Sequence, residues 1–168
     1  MADNIQLNNH INIKNTSHIF YLYDDIQKYK YNLISYIKTG VSLKHQLIII
    51  ENPVIYKEII HLLTKEEQKL VHYIDNFTFY QYYEGFQIDR IANHFTSLIE
   101  PLVSQNVNIR TWAQVIWKKE FLIDSLVSFE EKADCCVNEL GIMSVCAYSS
   151  SQLNAKIQTA FMKKQNIL

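Results

Sequence analysis

The sequence predicts an α/β domain, a three-layer sandwich with a mostly parallel central sheet of about five strands. Five short apolar runs alternate with five amphipathic helical patterns, and such alternation is typical of a parallel sheet covered by helices on both faces. The chain has 168 residues, of which 48% are hydrophobic, which suits one domain with a substantial core. We therefore expect a flexible N-terminal arm, or at most an added strand, over residues 1–16 and a single domain over residues 17–168.

The first half of the chain supplies two predicted strands. The first covers residues 18–23, which are β-branched or aromatic, and it ends at Asp24. A helix follows, with Gly40 as its expected C-cap and an apolar stripe formed by Ile26, Tyr29, Leu33 and Ile37. The second strand, residues 46–51, is nearly all apolar, as in strands that are buried on both faces. Pro53 fits the first turn of the next helix.

The second half supplies three more strands. We expect the third at residues 71–75, the fourth at 107–112 and the fifth at 142–148. An aromatic loop, residues 77–86, precedes a helix with apolar residues at Ile88, Ile91, Phe95, Leu98 and Leu102. A long helix follows the fourth strand, with Leu122, Leu126, Phe129, Ala133 and Cys136 facing inward. Residues 149–151 are expected to cap a last helix.

Composition excludes several classes of protein. The chain has 16 basic and 17 acidic residues and a net charge of −1, so it lacks the basic footprint of a direct nucleic-acid binder. Its three cysteines are an odd number, which favours a reducing interior. The longest aliphatic run, residues 47–50, is far too short to span a membrane. We expect a cytoplasmic protein that binds neither nucleic acid nor membrane directly.

The turn after the first strand is where a phosphate-binding loop would lie, at the N-terminus of the following helix. The sequence contains neither G-x-x-x-x-G-K-[ST] nor G-x-G-x-x-G, and it has Asp24 and Asp25 at that turn. Carboxylates there complement the helix dipole and repel phosphate, so nucleotide binding is disfavoured. Simple helix capping is the alternative role of the two aspartates.

Several segments resemble the MEDS domain, the methanogen/methylotroph sensory domain found in regulators of halogenated-hydrocarbon metabolism. They are HIFYLYDD at residues 18–25, the aromatic loop with Gly85, Phe86, Asp89 and Arg90, and the pair Cys146 and Tyr148. The similarity covers residues 17–162. It implies a RecA/KaiC-type P-loop topology that lacks the phosphate-binding loop. It also implies a sensory role, with small hydrocarbon derivatives as ligands.

We predict a ligand site at the carboxyl ends of the strands, where open α/β sheets bind their ligands. Its expected residues are His18, Tyr21, Tyr23, Asp24, Asp25, Trp112, Trp117 and Tyr148. A structural role for His18 is the alternative, and the two tryptophans could line one cavity at the exit of the fourth strand. We predict no catalytic residues, no cofactor and no metal ligands, because His, Cys and carboxylates show no ligand spacing.

The aromatic loop has two interpretations. It packs on the sheet edge with its phenols in water, or it forms a lid or partner surface, since aromatic rings dominate binding hot spots. The expected partner surface consists of Phe79, Tyr80, Tyr82 and Tyr83.

Three functional hypotheses follow. The first is a free-standing, non-enzymatic sensory domain that binds a small organic ligand and signals through a kinase, a transcription regulator or a homodimer. The second is a protein-interaction module that inhibits such a signalling protein and has no small ligand. The third is an enzyme or ATPase with an unfamiliar site.

Overall fold

The computed structural model describes residues 4–8, 11–118 and 123–164. Its strands are β1 (Asn4–Gln6), β2 (Asn12–Lys14), β3 (Ser17–Tyr23), β4 (Gln46–Glu51), β5 (Val71–Asp75), β6 (Ile109–Gln114) and β7 (Met143–Ser149). Its helices are α1 (Ile26–Ser42), α2 (Pro53–Ile60), α3 (Lys65–Gln68), α4 (Asn76–Phe79), α5 (Ile88–Val103), α6 (Ile123–Leu140) and α7 (Ala155–Lys164). Among these helices, none combines the length and hydropathy that crossing a bilayer requires.

Five of the strands form one sheet in the order β3-β7-β6-β4-β5, and every pairing between them is parallel. The predicted fold class, a three-layer sandwich with about five parallel strands, is confirmed. The first strand of the sheet, β3, lies at an edge, whereas doubly wound nucleotide-binding sheets keep theirs inside. The resemblance also implies a RecA-like topology, and that finer assignment stays a prediction.

Helices cover the sheet on both sides. We call the side that packs against α1 and α2 the α1 face, and the side that packs against α5, α6 and α7 the α6 face. Successive strand residues alternate between the two, as side chains of a strand must: Ile49 and Val145 point to the α1 face, and Ile48 and Cys146 to the α6 face. Both faces are buried, which explains why β4 is apolar from Leu47 to Ile50.

The N-terminal arm contains an antiparallel hairpin, in which β1 pairs with β2. The fully buried Arg110 of β6 holds it: the guanidinium donates to the carbonyls of Gln6 at 3.0 Å and Leu7 at 3.3 Å. It also donates to the Tyr36 carbonyl at 3.5 Å and to Nδ1 of His45 at 3.2 Å. Burial, together with Arg110, lowers the pKa of His45 to about 4. One buried cation thus joins the hairpin to the sheet and to α1.

Several predicted bounds are corrected. The strand β6 ends at Gln114 and not at residue 112, so Trp112 lies within the strand. The aromatic loop begins with the short helix α4, and α7 begins after Asn154, whose side chain accepts from the N–H of Ile157, so residues 149–151 do not cap it. Leu122 lies outside the described residues.

Gly40 is not a C-cap but lies inside α1, which ends at Ser42 and is capped by Leu43. A Cβ at this position would lie 2.7 Å from Cδ of Arg110 and 3.0 Å from Cδ2 of Leu47. Glycine is required here because the helix backbone approaches the buried arginine side chain too closely for any side chain of its own.

We expect Gly40→Ala to destabilise the fold by about 1–3 kcal/mol through overpacking, although alanine gains roughly 1 kcal/mol in helix propensity. Urea unfolding followed by circular dichroism measures the change. The control is Lys38→Ala, at an exposed position of the same helix, which should change stability by less than about 0.5 kcal/mol. A more stable Gly40→Ala would show that helix propensity dominates and that the contact with Arg110 is unimportant.

Candidate functional site

The carboxyl ends of β4 and β6 form a topological switch point. The chain leaves β4 toward α2 on the α1 face and leaves β6 toward α6 on the opposite face. In open sheets such a crevice is the usual ligand site. Here polar and aromatic side chains of the protein occupy it: Glu51, Asn76, Gln114, Tyr23 and Tyr29.

Glu51, the last residue of β4, is fully buried at this crevice. The Tyr29 hydroxyl donates to its Oε2, and the N–H of Asn52 donates to its Oε1 at 2.8 Å. The indole N–H of Trp112 in turn donates to the Tyr29 oxygen at 2.9 Å. Burial raises the pKa of the Glu51 carboxyl from 4.5 to about 7, although both hydrogen bonds act in the opposite direction. The carboxyl therefore titrates near neutral pH.

A second chain of hydrogen bonds lies beside the first. The Gln114 amide donates to the Tyr23 hydroxyl at 2.8 Å, and the Asn76 amide donates to Oε1 of Gln114 at 3.0 Å. The Tyr23 ring packs on the Tyr29 ring with centroids 4.1 Å apart, which joins the two chains. Asn76 is fully buried, and its Oδ1 has no hydrogen-bond partner among the described residues.

An aromatic cleft of about 280 Å³ lies next to this network on the α1 face, between the hairpin, β3 and α1. Its lining includes Leu7, Ile11, Ile19, Tyr21, Asn32, Tyr36, Trp112 and Val145. The Asn32 amide donates to the Tyr21 hydroxyl at 2.8 Å, and Asn8 also lines the cleft, so a few polar groups lie in a mainly apolar and aromatic wall. The rings of Tyr21 and Trp112 meet edge to face, with centroids 5.5 Å apart.

The predicted ligand residues do not form one site. Tyr21, Tyr23 and Trp112 belong to the α1 face, whereas Trp117 and Tyr148 belong to the α6 face. The two tryptophans therefore do not line one cavity. His18 also lies on the α6 face, where its Nε2 is 3.3 Å from Sγ of Cys146.

The two aspartates lie in the turn after β3, and their capping interpretation is confirmed for one of them. Asp25 Oδ1 accepts from the N–H groups of Gln27 at 2.8 Å and Lys28 at 3.0 Å. These bonds, that of Lys28 first, lower the pKa of the Asp25 carboxyl. Asp24 is exposed. The first N–H groups of α1 are thus already bound to a protein carboxylate.

The predicted partner surface is corrected in part. Phe79 and Tyr80 are buried in the core of the α6 face, so they cannot form an exposed surface. Tyr83 is 76% exposed, and Tyr82 is half-buried beside it. The Lys118 ammonium lies 5.8 Å from the Tyr82 ring centroid and 5.6 Å from that of Tyr83. The surface is reduced to these two phenols and the lysine.

The sequence pattern does not predict six residues of the crevice and cleft as site residues: Tyr29, Asn32, Tyr36, Glu51, Asn76 and Gln114. Tyr29 lies on the apolar stripe of α1, and this pattern predicts a core residue. Glu51 offered one signal, since an acidic residue that ends an apolar strand is a candidate for a shifted pKa at the carboxyl edge.

We expect Glu51→Gln to remove a pH dependence of stability. The folded pKa of about 7 exceeds the ordinary 4.5, so the folded chain holds this proton more tightly than the unfolded chain. The stability it contributes is fully present below about pH 4.5 and is lost as pH rises through 7. Relative to that of Glu51→Gln, the free energy of unfolding of the wild type should fall by on the order of 3 kcal/mol between acidic and alkaline pH.

Urea unfolding at acidic, neutral and alkaline pH measures this difference. Comparing the two chains cancels the opposite trend from His45, whose lowered pKa destabilises the fold as pH falls. Glu100→Gln, on the exposed side of α5, is the matched control and should follow the wild type at every pH. Parallel curves for the wild type and Glu51→Gln would contradict the assignment.

Comparison with known proteins agrees with this architecture. The family model described as MEDS, the methanogen/methylotroph, DcmR sensory domain, matches residues 17–164, which include every strand of the central sheet. A search of curated proteins finds no match. Since the family model covers nearly the whole chain, this protein belongs to the MEDS family of sensory domains.

Proposed function

We propose that this chain is a non-enzymatic sensory domain that binds a small, weakly polar organic molecule in the aromatic cleft and reports it to a signalling protein. The observation that carries the proposal is the cleft itself, with its aromatic wall and the hydrogen-bonded pair of Asn32 and Tyr21. Ligand sites are typically apolar concavities with a few placed polar groups. Membership of a sensory family supports the same function.

The size of the cleft limits the ligand. Its 280 Å³ lies just below the range of about 300–1,000 Å³ that is usual for sites of drug-sized molecules. A molecule of few non-hydrogen atoms fits such a volume. The Tyr21 hydroxyl and the Asn32 amide favour a ligand with one hydrogen-bonding group, and the surrounding rings favour an apolar remainder. Short-chain alcohols, ketones and amides have this chemistry.

A series of side-chain contacts connects the cleft with the carboxyl edge of the sheet. Trp112 lines the cleft and also donates to the Tyr29 hydroxyl, which in turn donates to Glu51. The Tyr21 ring lies 6.1 Å from the rings of both Tyr23 and Tyr29. A ligand that shifts Tyr21 or Trp112 would therefore disturb the buried network at the switch point. This edge is where a partner or a second copy would detect the change.

A nucleotide is a poor candidate for the ligand of this protein. Phosphate binding at a helix N-terminus depends on free backbone N–H groups, and Asp25 accepts from two of them in α1. The negative charge of the two aspartates also opposes a polyphosphate at this turn. These observations support a sensor of neutral molecules over an ATPase.

We expect short-chain organic probes to raise the unfolding temperature of the wild type. At a concentration of about one hundred times Kd, linkage adds about 2.7 kcal/mol to stability. Asn32→Leu keeps the approximate side-chain size, favours the helix and removes the polar group, so it should fold and lose most of the probe-induced shift. The control is Asn93→Leu, at an exposed position of α5, which should respond as the wild type does. Differential scanning fluorimetry measures all three.

Two outcomes would contradict the proposed cleft. One is the absence of any shift across the probe series in the wild type. The other is an undiminished shift in Asn32→Leu, because the ligand would then bind elsewhere. Isothermal titration calorimetry with the strongest probe separates true binding from a solvent effect on unfolding.

A second candidate, a protein-interaction module without a small ligand, is favoured by the filled switch point. Protein side chains occupy the crevice where a ligand would bind, and Tyr83 is 76% exposed beside Lys118. If this function is correct, Tyr83→Ser abolishes capture of a partner by immobilised protein, while Tyr31→Ser, at an exposed tyrosine of α1, does not. Partner capture unchanged by Tyr83→Ser would argue against this surface.

A further inference from the structure

Three potential metal ligands from three different elements meet on the α6 face: His18 of β3, Glu130 of α6 and Cys146 of β7. The Nε2 atom of His18 lies 3.3 Å from Sγ of Cys146 and 3.5 Å from Oε2 of Glu130. One ligand atom of each residue lies within 4.8 Å of the other two. The side chains of His18 and Glu130 are 2% and 4% exposed, and Cys146 is buried as well.

Two of these separations, nitrogen to sulfur and nitrogen to oxygen, are close to the edges of a zinc coordination tetrahedron. With metal–ligand distances of about 2.05 Å to nitrogen, 2.3 Å to sulfur and 2.1 Å to oxygen, the tetrahedral angle places nitrogen about 3.6 Å from sulfur and about 3.4 Å from oxygen. The observed 3.3 and 3.5 Å differ from these values by a few tenths of an ångström.

We infer that His18, Glu130 and Cys146 bind a divalent metal of the zinc class, with a fourth position left for water or another small ligand. The site is independent of the aromatic cleft, which lies on the α1 face. A borderline-soft cation accepts this mixture of imidazole, thiolate and carboxylate, whereas magnesium and calcium prefer oxygen alone. No local sequence pattern reveals the site, because His18 lies more than a hundred residues from both Glu130 and Cys146.

Charge balance supports a divalent ion at this position. A thiolate and a carboxylate supply two negative charges, and neutral imidazole supplies none, so the bound ion would be neutralised within the buried site. On metal binding the S–H bond of Cys146 breaks, a metal–sulfur bond forms, and the proton passes to solvent.

Two further side chains, those of Asp134 and Tyr148, contact the proposed ligands in the way that supporting residues of a metal site do. Metal-bound histidines usually direct their second ring nitrogen at a carboxylate, and Nδ1 of His18 lies 3.6 Å from Oδ1 of Asp134. The Tyr148 hydroxyl donates to Oε1 of Glu130, and Oε2 is the oxygen that lies 3.5 Å from Nε2 of His18. Asp134 is 59% exposed, so this carboxylate links the buried histidine to the surface of the protein.

The metal content of the untagged protein tests the inference. After expression in zinc-supplemented medium and dialysis against a weak chelator, we expect about one zinc per chain by inductively coupled plasma mass spectrometry. Cys146→Ser and His18→Gln should each lose most of it. Glu130→Gln keeps the shape of the side chain and should also lose most of the zinc. It tests the site even if one of the other variants fails to fold. Circular dichroism checks the fold of every variant.

Cobalt substitution identifies the ligands. Cobalt(II) bound to a thiolate gives an intense near-ultraviolet charge-transfer band, and a four-coordinate site gives strong visible bands. Both should be present in the wild type and absent in Cys146→Ser. The matched control is Cys136→Ser, because Cys136 is also buried, beside Phe129 and Val137 on the α6 face, but lies outside the cluster. This control should keep its zinc and its cobalt spectrum.

Three results would overturn the inference. The first is a wild type with neither zinc nor a cobalt–thiolate band, which would leave the cluster as a hydrogen-bonded core network. The second is metal retained by all the cluster variants, which would place the ion at surface histidines. The third is metal lost on Cys136→Ser and kept on Cys146→Ser.

Zinc binding should also weaken as pH falls, because the thiol proton competes with the ion.

Discussion

The fold depends most on the buried guanidinium of Arg110. A cation removed from water must find acceptors for its N–H groups, and Arg110 finds them in the hairpin, the α1 backbone and His45. The same side chain excludes a Cβ at Gly40, and it lies over the Tyr36 ring at 4.9 Å. The hairpin and α1, both fastened by this residue, form two walls of the aromatic cleft. One electrostatic requirement in the core therefore positions the candidate ligand site.

The architecture could be predicted because its signals are local. An apolar run between turn residues fixed β4 and β5 at the predicted bounds, and strand–helix alternation fixed the parallel sheet. The end of β6 could not be located in the same way, because polar residues, among them Thr111 and Gln114, are buried inside the strand. Their partners lie on other elements, where the local pattern gives no information. The N-terminal hairpin was missed as well, because a distant arginine fixes it.

The sites were harder to predict than the fold because they depend on which face each side chain occupies. A shift of two residues in the end of β6 moved Trp112 from the strand exit into the core and separated it from Trp117. Asp25 was assigned correctly as a cap, since capping depends only on neighbours in sequence. Glu130 gave no signal at all, because an acidic residue in a helix is ordinarily exposed. Only the packing of α6 on β3 and β7 reveals its role.

The hydrogen-bonded series from indole through phenol to carboxyl gives this protein an internal optical reporter. The chain has two tryptophans, and one of them, Trp112, donates to the phenol that contacts Glu51. Ionisation of that carboxyl places a negative charge two hydrogen bonds from the indole, where it alters the electric field on the excited state. The emission of Trp112 would then follow the protonation of the switch point in real time. Events at the sheet edge thus become visible without any label.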